Sequence, residues 1–435
     1  MIKKIITKIL IWEAKSAIAR NRPKIIGVTG SSGKSSTKDA IAVVLEKKFT
    51  VRKSIKSYNS ELGLALAILG LRTAWGSSLG WLKNIRDGFK EIWGLPDAEA
   101  GKDFPKVLVL EMGVDRPKDL EKLLKIARPD IGVVTAIGEV PVHVEFFAGP
   151  EEVAREKAKL VKTLSAQGHA VLNFDDDVVW DMHKETKANV LSYGFAKGAA
   201  ILASNINVSI EKGISFKLNY EGNSLPVRLK NVFGKHHIYA TLAAAAVGII
   251  YEMNLIEIVE ALNLYKPPPG RLQLIKGVKN SWILDDSYNA SPLATHAALD
   301  TLGELEANLP DGKAGRKIAV FGDMLEIGKF TIVAHKAVGE RAAKITDLFI
   351  TVGPRTKFAV EGAISTGMDK SKVFNFSTSR EAAAFLKDKI AEGDLILVKG
   401  SQAMRMERIV EEIMSEPDRA SELLCRQDEY WKKKE

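Results

Sequence analysis

Gly27-Val28-Thr29-Gly30-Ser31-Ser32-Gly33-Lys34-Ser35-Ser36-Thr37 is the stretch whose reading decides the fold. Pro23-Lys24-Ile25-Ile26 precedes it and reads as a buried parallel strand. From Asp39 to Lys47 the chain has helical spacing, with Ile41, Val44 and Leu45 on one face. A strand, a glycine loop and a helix in that order make a phosphate cradle. Glycines let backbone N–H groups turn towards an anion, and the helix N-terminus adds partial positive charge. Lys34 is spaced to reach outer phosphates, and the Ser35 hydroxyl to hold Mg²⁺. The strict GxxxxGK[ST] pattern asks for glycine where Val28 stands, so the strand–turn–helix context carries this reading more than the motif does.

The chain has 435 residues, too many for one typical core, and two or three domains are expected. Hydrophobic and charged shares of 46% and 27% are those of a soluble globular protein. The net charge of +9 suits an anionic partner such as a nucleotide, and no RNA- or DNA-binding motif accompanies it, so nucleic acid is not expected. Cys425 is the one cysteine, which excludes an intramolecular disulfide and a thiolate metal site and points to a reducing cytoplasm. No stretch is long and apolar enough to span a bilayer.

Residues 1–23 read as a basic amphipathic helix, with Ile2, Ile5, Ile6, Ile9 and Trp12 on one face and Lys3, Lys4 and Lys8 in water. Packing on the body of the protein is the preferred reading, and peripheral membrane contact is the other. A central unit is expected over 24–266, with a helical insertion at 75–103 in which Trp81, Ile85 and Phe89 recur at helical spacing beside Ile92 and Trp93. Lys106 to Gly113 reads as a buried strand ending in Glu111. In open α/β sheets ligands sit at such strand ends, although a charge there also occurs on plain surfaces. Ala199 to Leu229 alternates as antiparallel hairpins do. Lys266-Pro267-Pro268-Pro269-Gly270 marks the clearest boundary, and alternating strands and helices over 267–435 predict a second α/β domain. Glu422 to Glu435 is expected to be a docked helix with a frayed basic end.

Several stretches together resemble the Mur ligases, ATP-dependent amide-forming enzymes of cell-wall precursor synthesis. The phosphate loop is similar to the family's TGxxGK(S/T)(S/T). Asn59-Ser60-Glu61-Leu62-Gly63 resembles its NNExG element, Glu111-Met112-Gly113 its EMG strand end, and Gly138-Glu139 with His143-Val144-Glu145 its GxxHxE segment. Gly270-Arg271, Asp285-Asp286-Ser287-Tyr288-Asn289-Ala290-Ser291-Pro292 and Phe321-Gly322-Asp323-Met324-Leu325-Glu326-Ile327-Gly328 resemble three further signatures. The last two are similar to the branch that adds D-alanyl-D-alanine to a muramoyl tripeptide. The resemblance implies a P-loop central ATPase domain with a mainly parallel sheet and a C-terminal Rossmann-like α/β domain. It implies an acyl-phosphate route, with ATP, Mg²⁺ and the two organic substrates as partners, in a cytoplasmic monomer.

Carried over residue by residue, the resemblance assigns ATP binding to Gly30, Ser31, Ser32, Gly33, Lys34, Ser35, Ser36, Asn59, Arg271 and Asp286. It assigns metal binding to Ser35, Glu111, His143 and Lys157, and catalysis to Lys34, Lys157 and His143. Lys157 matches a carbamylated lysine. Tyr288, Asn289, Asp323 and Glu326 are the expected substrate contacts. The sequence departs from the pattern in three places. Only about two dozen residues precede the loop, where the family has a UDP-binding domain, so that domain is expected to be missing. Ala240 stands where an Asn typically contacts adenine, and extra residues precede His143. Two alternatives stay open: a Mur-type ligase with another acceptor, and a nucleotide-binding scaffold or switch at the membrane.

Overall fold

The computed structural model describes residues 2–54, 60–93, 104–306 and 315–433. Two sheets lie on either side of the Lys266–Gly270 linker. The first contains β1 (Lys24–Thr29), β2 (Val51–Lys53), β3 (Val107–Glu111), β4 (Ile131–Val134), β5 (His169–Asn173), β6 (Asn189–Gly194), β7 (Ile201–Ser209), β8 (Gly213–Tyr220) and β9 (Asn223–Leu229). Its order is β2-β3-β1-β4-β5-β6-β7-β8-β9, parallel except for the β7–β8 and β8–β9 pairs. The alternation over 199–229 thus becomes two antiparallel pairings at the sheet's edge.

Strand order reverses around β1. The chain leaves β1, returns through β2 and β3 on one side, then crosses to β4 on the other. That reversal opens a crevice at the carboxyl end of β1, where ligands bind in open α/β sheets. Parallel register sets Val28 beside Glu111, and Thr29 beside Val134. β1 and β3 are covered on both faces, which is why each is a nearly continuous apolar run.

The helices that matter here are α1 (Ile2–Asn21), α2 (Lys34–Leu45), α3 (Glu61–Leu69), α4 (Ser78–Trp93), α5 (Asp119–Leu124) and α6 (Pro150–Lys162). α2 and the alanine-rich helix Lys235–Ile250 cover one face, meeting through Ile41, Val44, Ala243 and Val247. α1, α3 and α6 cover the other with Leu10, Leu64 and Leu160. Ser60 caps α3, its side chain accepting from the Gly63 N–H at 3.2 Å.

The second sheet comprises β10 (Gln273–Lys276), β11 (Trp282–Asp286), β12 (Lys317–Gly322), β13 (Leu348–Val352), β14 (Val373–Phe376) and β15 (Leu395–Lys399), in the order β10-β11-β15-β12-β13-β14. It is parallel except for β10. The molecule is therefore α/β with a mainly parallel first sheet and a second, C-terminal α/β sheet.

Three expectations are corrected. α1 does pack on the body, but through Leu10, Glu13, Ala14 and Ala17, while Ile5 and Trp12 face water. The reason is close approach: a Cβ on Gly88 of α4 would lie 2.2 Å from Glu13 Oε2, so small residues define the seam. α4 buries Asn84, Gly88 and Ile92, with Trp81 and Ile85 half-buried, and leaves Phe89 and Trp93 about half exposed. The C-terminal segment is two single-turn helices, Ala420–Leu423 and Glu429–Lys432. Between them Arg426 takes φ 57°, and its guanidinium bonds Glu407 and the carbonyls of Ser287 and Tyr288.

Candidate active site

β1 stays extended through Thr29, and the chain turns only at Gly30. This is why Val28 is tolerated: it is a buried strand residue rather than part of the loop. Gly30 has φ 144°, and a Cβ there would sit 1.9 Å from Thr135 Oγ1. Gly33 caps α2 in the left-handed region at φ 84°. The N–H groups of Ser31 and Ser32 donate to Ala136 O at 2.7 and 3.2 Å, pinning the loop to the end of β4. The N–H groups of Lys34, Ser35 and Ser36, in the first turn of α2, have no carbonyl within the helix to bond, and Lys34 and Ser35 line a cavity.

Two cavities meet at this loop. One, of about 650 Å³, is lined by Ser31 to Ser35, Glu111, Asp115, His143, Arg271 and Glu326, and also by Tyr288, Asn289, Arg405 and Trp431. The other, of about 700 Å³, runs from Ser36 and Thr37 past Asn173, Tyr193, Tyr239 and His236 to Asp286, Leu293 and Lys399. The first is a polar chamber. The second has aromatic and aliphatic walls with a few polar groups, as a nucleoside site does. Arg271 lines both, so groups from the two sheets face one another across the loop.

Lys34 donates to Gly30 O at 2.8 Å, and Lys157 of α6 donates to the same oxygen at 3.2 Å. Burial lowers both lysines from their usual range. Lys34 is partly restored by Glu111, whereas Lys157, beside Lys34, falls to about 7. Ser35 Oγ donates to Glu111 Oε2 at 2.9 Å. His143, at φ 68°, sits with Nε2 3.3 Å from Asp115 Oδ1 and Nδ1 2.7 Å from Glu326 Oε2, the latter off hydrogen-bonding geometry. His143 holds Glu326 below the usual carboxylate range. The extra residues before His143 thus leave it in the polar chamber.

At the end of the second sheet, Lys399 Nζ lies 2.5 Å from Asp286 Oδ2 and 3.0 Å from Asn289 O. Burial pushes the Asp286 carboxyl up and the Lys399 amine down, each opposed by the other. His237 is fully buried between the Tyr265 hydroxyl, 2.9 Å from Nδ1, and Arg271 O, 2.8 Å from Nε2. A carbonyl only accepts, so Nε2 carries the proton and Nδ1 accepts from Tyr265. Burial lowers His237 to about 4 and keeps it neutral. The His237 ring thus links the Tyr265 hydroxyl to the backbone of Arg271.

Of the residues expected from sequence, Ser31 to Ser36, Glu111, His143, Arg271, Asp286, Tyr288, Asn289 and Glu326 line the cavities. Gly30 and Lys157 lie behind them. Asp323 lines neither: its Oδ1 accepts from the N–H groups of Arg355 and Thr356 at 2.9 Å, closing a loop of the second sheet. Asn59 lies outside the described residues. Sequence reasoning missed Asp115, Lys399, Arg405, His237 and Trp431. Like Glu111 at the end of β3, Lys399 is the last residue of a parallel strand, β15. Nothing local marks Trp431, which folding brings under the Arg405 guanidinium at 5.5 Å.

Mg²⁺ fits this donor set. Ser35 and Glu111 are hard oxygen donors beside the phosphate loop, and Mg²⁺ commonly takes one or two protein oxygens and completes its shell with phosphate and water. Among the described residues no three His, Cys, Asp or Glu side chains gather as a ready-made metal centre.

Comparison with known proteins agrees with this geometry. Residues 28–248 match the Mur ligase middle domain, and residues 270–402 match the Mur ligase glutamate ligase domain. A UDP-N-acetylmuramoyl-tripeptide–D-alanyl-D-alanine ligase of Bacillus subtilis is 28% identical over 407 residues, 93% of this chain and 79% of that protein. Its counterpart in Mycobacterium leprae is 30% identical over 401 residues, 87% of this chain and 71% of that protein. Among solved structures, Thermotoga maritima MurF ligase in complex with ADP superposes with a TM-score of 0.74 at 26% identity, covering 93% of this chain and 83% of that one. With both domain descriptions matched in order across most of its length, and with the loop, strand ends and cavities described above, the chain belongs to the Mur ligase family.

Proposed function

We propose that this Mur ligase joins D-alanyl-D-alanine to a muramoyl tripeptide at the expense of ATP, through an acyl phosphate. The observation that carries the reading is the polar chamber. There the phosphate loop, Glu111, Asp115 and His143 of the first sheet's domain face Arg271, Asn289 and Glu326 across one cavity. A carboxylate is a poor electrophile at neutral pH, so it must be activated by phosphorylation before an amine can displace phosphate. Such a reaction asks the protein for positioning and charge neutralisation.

In this reading Lys34 neutralises the phosphoryl group in transit, and the first-turn N–H groups of α2 hold its neighbours. Ser35 and Glu111 would hold Mg²⁺, which would supply further charge neutralisation. His143, with Asp115 at Nε2 and Glu326 at Nδ1, would bind a second cation through one ring nitrogen by giving up the carboxylate contact there, the other carboxylate then orienting the ring. Arg271 closes the second sheet's domain on the nucleotide, whose base and ribose occupy the cavity between Tyr239 and Asp286. Tyr288, Asn289 and Glu326 bind the organic substrates.

Lys157 is the residue whose surroundings suit modification. With its pKa near 7, a large share of its amine is neutral at physiological pH. A neutral amine attacks CO₂, a C–N bond forms, one proton leaves to solvent, and the lysine becomes an anion beside Lys34.

The test is ADP formation with Mg²⁺, bicarbonate, UDP-N-acetylmuramoyl tripeptide and D-Ala-D-Ala, omitting each in turn. Turnover that needs both organic substrates and disappears in Lys34→Ala is the expected result. Turnover only with a different acceptor reassigns the substrate, and slow hydrolysis indifferent to both substrates overturns the ligase reading.

A further inference from the structure

The outer face of α1 and α4 is a different kind of surface from the catalytic cleft, and its properties do not depend on the chemistry proposed there. Sixteen large hydrophobic residues are exposed among the described residues, and six of them are on these two helices: Ile5, Trp12, Leu79, Leu82, Phe89 and Trp93. Leu79 and Leu82 are 79% and 62% exposed, and Trp12 is 55% exposed. Monomer surfaces rarely gather apolar residues this way without use.

The geometry makes these residues one patch. Glu13 lies over Gly88 and the Arg20 guanidinium sits 4.8 Å over the Trp93 ring, so α1 and α4 run side by side in the same direction. At 100° per residue, Leu79, Leu82, Phe89 and Trp93 form one stripe on α4, roughly opposite its buried Gly88 line. On α1, Ile5 and Trp12 share the corresponding outward flank. The two stripes therefore face the same way.

Lysines rim this apolar strip on both sides. Lys4, Lys8 and Lys15 lie along the far side of α1, and Lys83 and Lys90 along the far side of α4, with Arg86 inside the α4 stripe. Together the two helices carry eight cations, Lys3, Lys4, Lys8, Lys15, Arg20, Lys83, Arg86 and Lys90, against three carboxylates. Of those three, Glu13 is buried, Asp87 is 2.9 Å from Arg86, and Glu91 is 3.0 Å from Arg52. An apolar, tryptophan-bearing strip between rows of lysine matches the cross-section of a bilayer surface. The rings and leucines enter the headgroup boundary, and the ammonium groups reach anionic phosphates. A second copy fits poorly, because it would bring two strongly basic faces together.

We propose that the α1–α4 face docks this protein on anionic lipid bilayers, lying in the interface without crossing it. The experiment is co-sedimentation of the full chain with vesicles of phosphatidylcholine alone and of phosphatidylcholine mixed with phosphatidylglycerol, at low and at physiological salt. Wild type is expected to pellet with the anionic vesicles, and at least about ten-fold less with the neutral ones or at raised salt. Trp12→Ser/Phe89→Ser and, separately, Lys3→Glu/Lys4→Glu/Lys8→Glu should each lower partitioning by about ten-fold or more, with melting temperatures near wild type because all five positions are exposed. Wild type left in the supernatant, or both variants pelleting like wild type, overturns the proposal. A dimer that Trp12→Ser/Phe89→Ser dissolves, with no vesicle binding, overturns it in favour of a second copy.

Discussion

Lys399 and Lys157 are both almost completely buried, and they are handled in opposite ways. Lys399, at the end of β15, meets the Asp286 carboxylate at 2.5 Å and the Asn289 carbonyl at 3.0 Å. Lys157, in α6 behind the phosphate loop, has the Gly30 carbonyl as its hydrogen-bond acceptor, joins no ion pair among the described residues, and has Lys34 as a cationic neighbour. Burial lowers both amines, but only Lys399 has a contacting carboxylate to oppose it. In the function proposed above, the difference separates a structural cation from an amine open to modification. An ion pair holds the loop that carries Tyr288 and Asn289, whereas an unpaired amine near neutrality is available for chemistry.

The largest effect should come from breaking the paired side. Lys399→Ala leaves Asp286 buried without its partner, and urea unfolding should show a loss of about 3–5 kcal/mol. Lys399→Met combined with Asp286→Asn should recover much of that loss, because neither charge then remains. If Lys399→Ala is neutral, the pair is not the anchor described here.

On the unpaired side, Lys157→Met should leave folding intact and cut turnover by about 10²–10³-fold, the scale of losing one electrostatic group at a phosphoryl-transfer site. Stripping bicarbonate from wild type should mimic that loss, and added bicarbonate should restore wild type but not the variant. A turnover indifferent to bicarbonate would return Lys157 to a purely structural role.

His237 sharpens the comparison from the neutral side. His237→Ala leaves the Tyr265 hydroxyl and the Arg271 carbonyl without their shared partner, at a cost of about 1–3 kcal/mol in stability. It should also raise KM for ATP more than it lowers kcat, since Arg271 is held through this contact. Equal changes in both would detach His237 from nucleotide binding.

The smallest effect concerns an acid. Burial raises Glu13 to about 7 from 4.5. The folded state therefore keeps a proton that the unfolded chain has already lost between pH 4.5 and 7, so stability falls as pH rises through that window and stays reduced above it. Glu13→Gln should flatten the fall by about 1 kcal/mol, read as melting temperature against pH. A wild-type profile already flat over that range would show Glu13 to be hydrated.

Much of the site was legible because it rests on local geometry. The turn at Gly30, the left-handed cap at Gly33 and the strand ending in Glu111 are short-range consequences of residue type, and each is present where the pattern indicates. The faces of α1 and α4 were not legible, since both helices carry apolar residues around much of their circumference. Glu13 against Gly88 is a contact between distant segments that no periodicity reports. Asp323 and Glu326 stand three residues apart in one motif, yet one closes an internal loop and the other faces the chamber. Trp431 is more than a hundred residues from most of its cavity neighbours.

By itself the sequence determined the α/β class and the strand, glycine turn and helix around Gly30 and Gly33, because backbone preference and hydrophobic period act over a few residues. Which helix face is buried, which carboxylate reaches the cavity, and which buried lysine finds a counter-ion were decided only by tertiary structure. Burial and charge pairing depend on what the rest of the chain brings alongside, and that is a property of the packed molecule rather than of any segment.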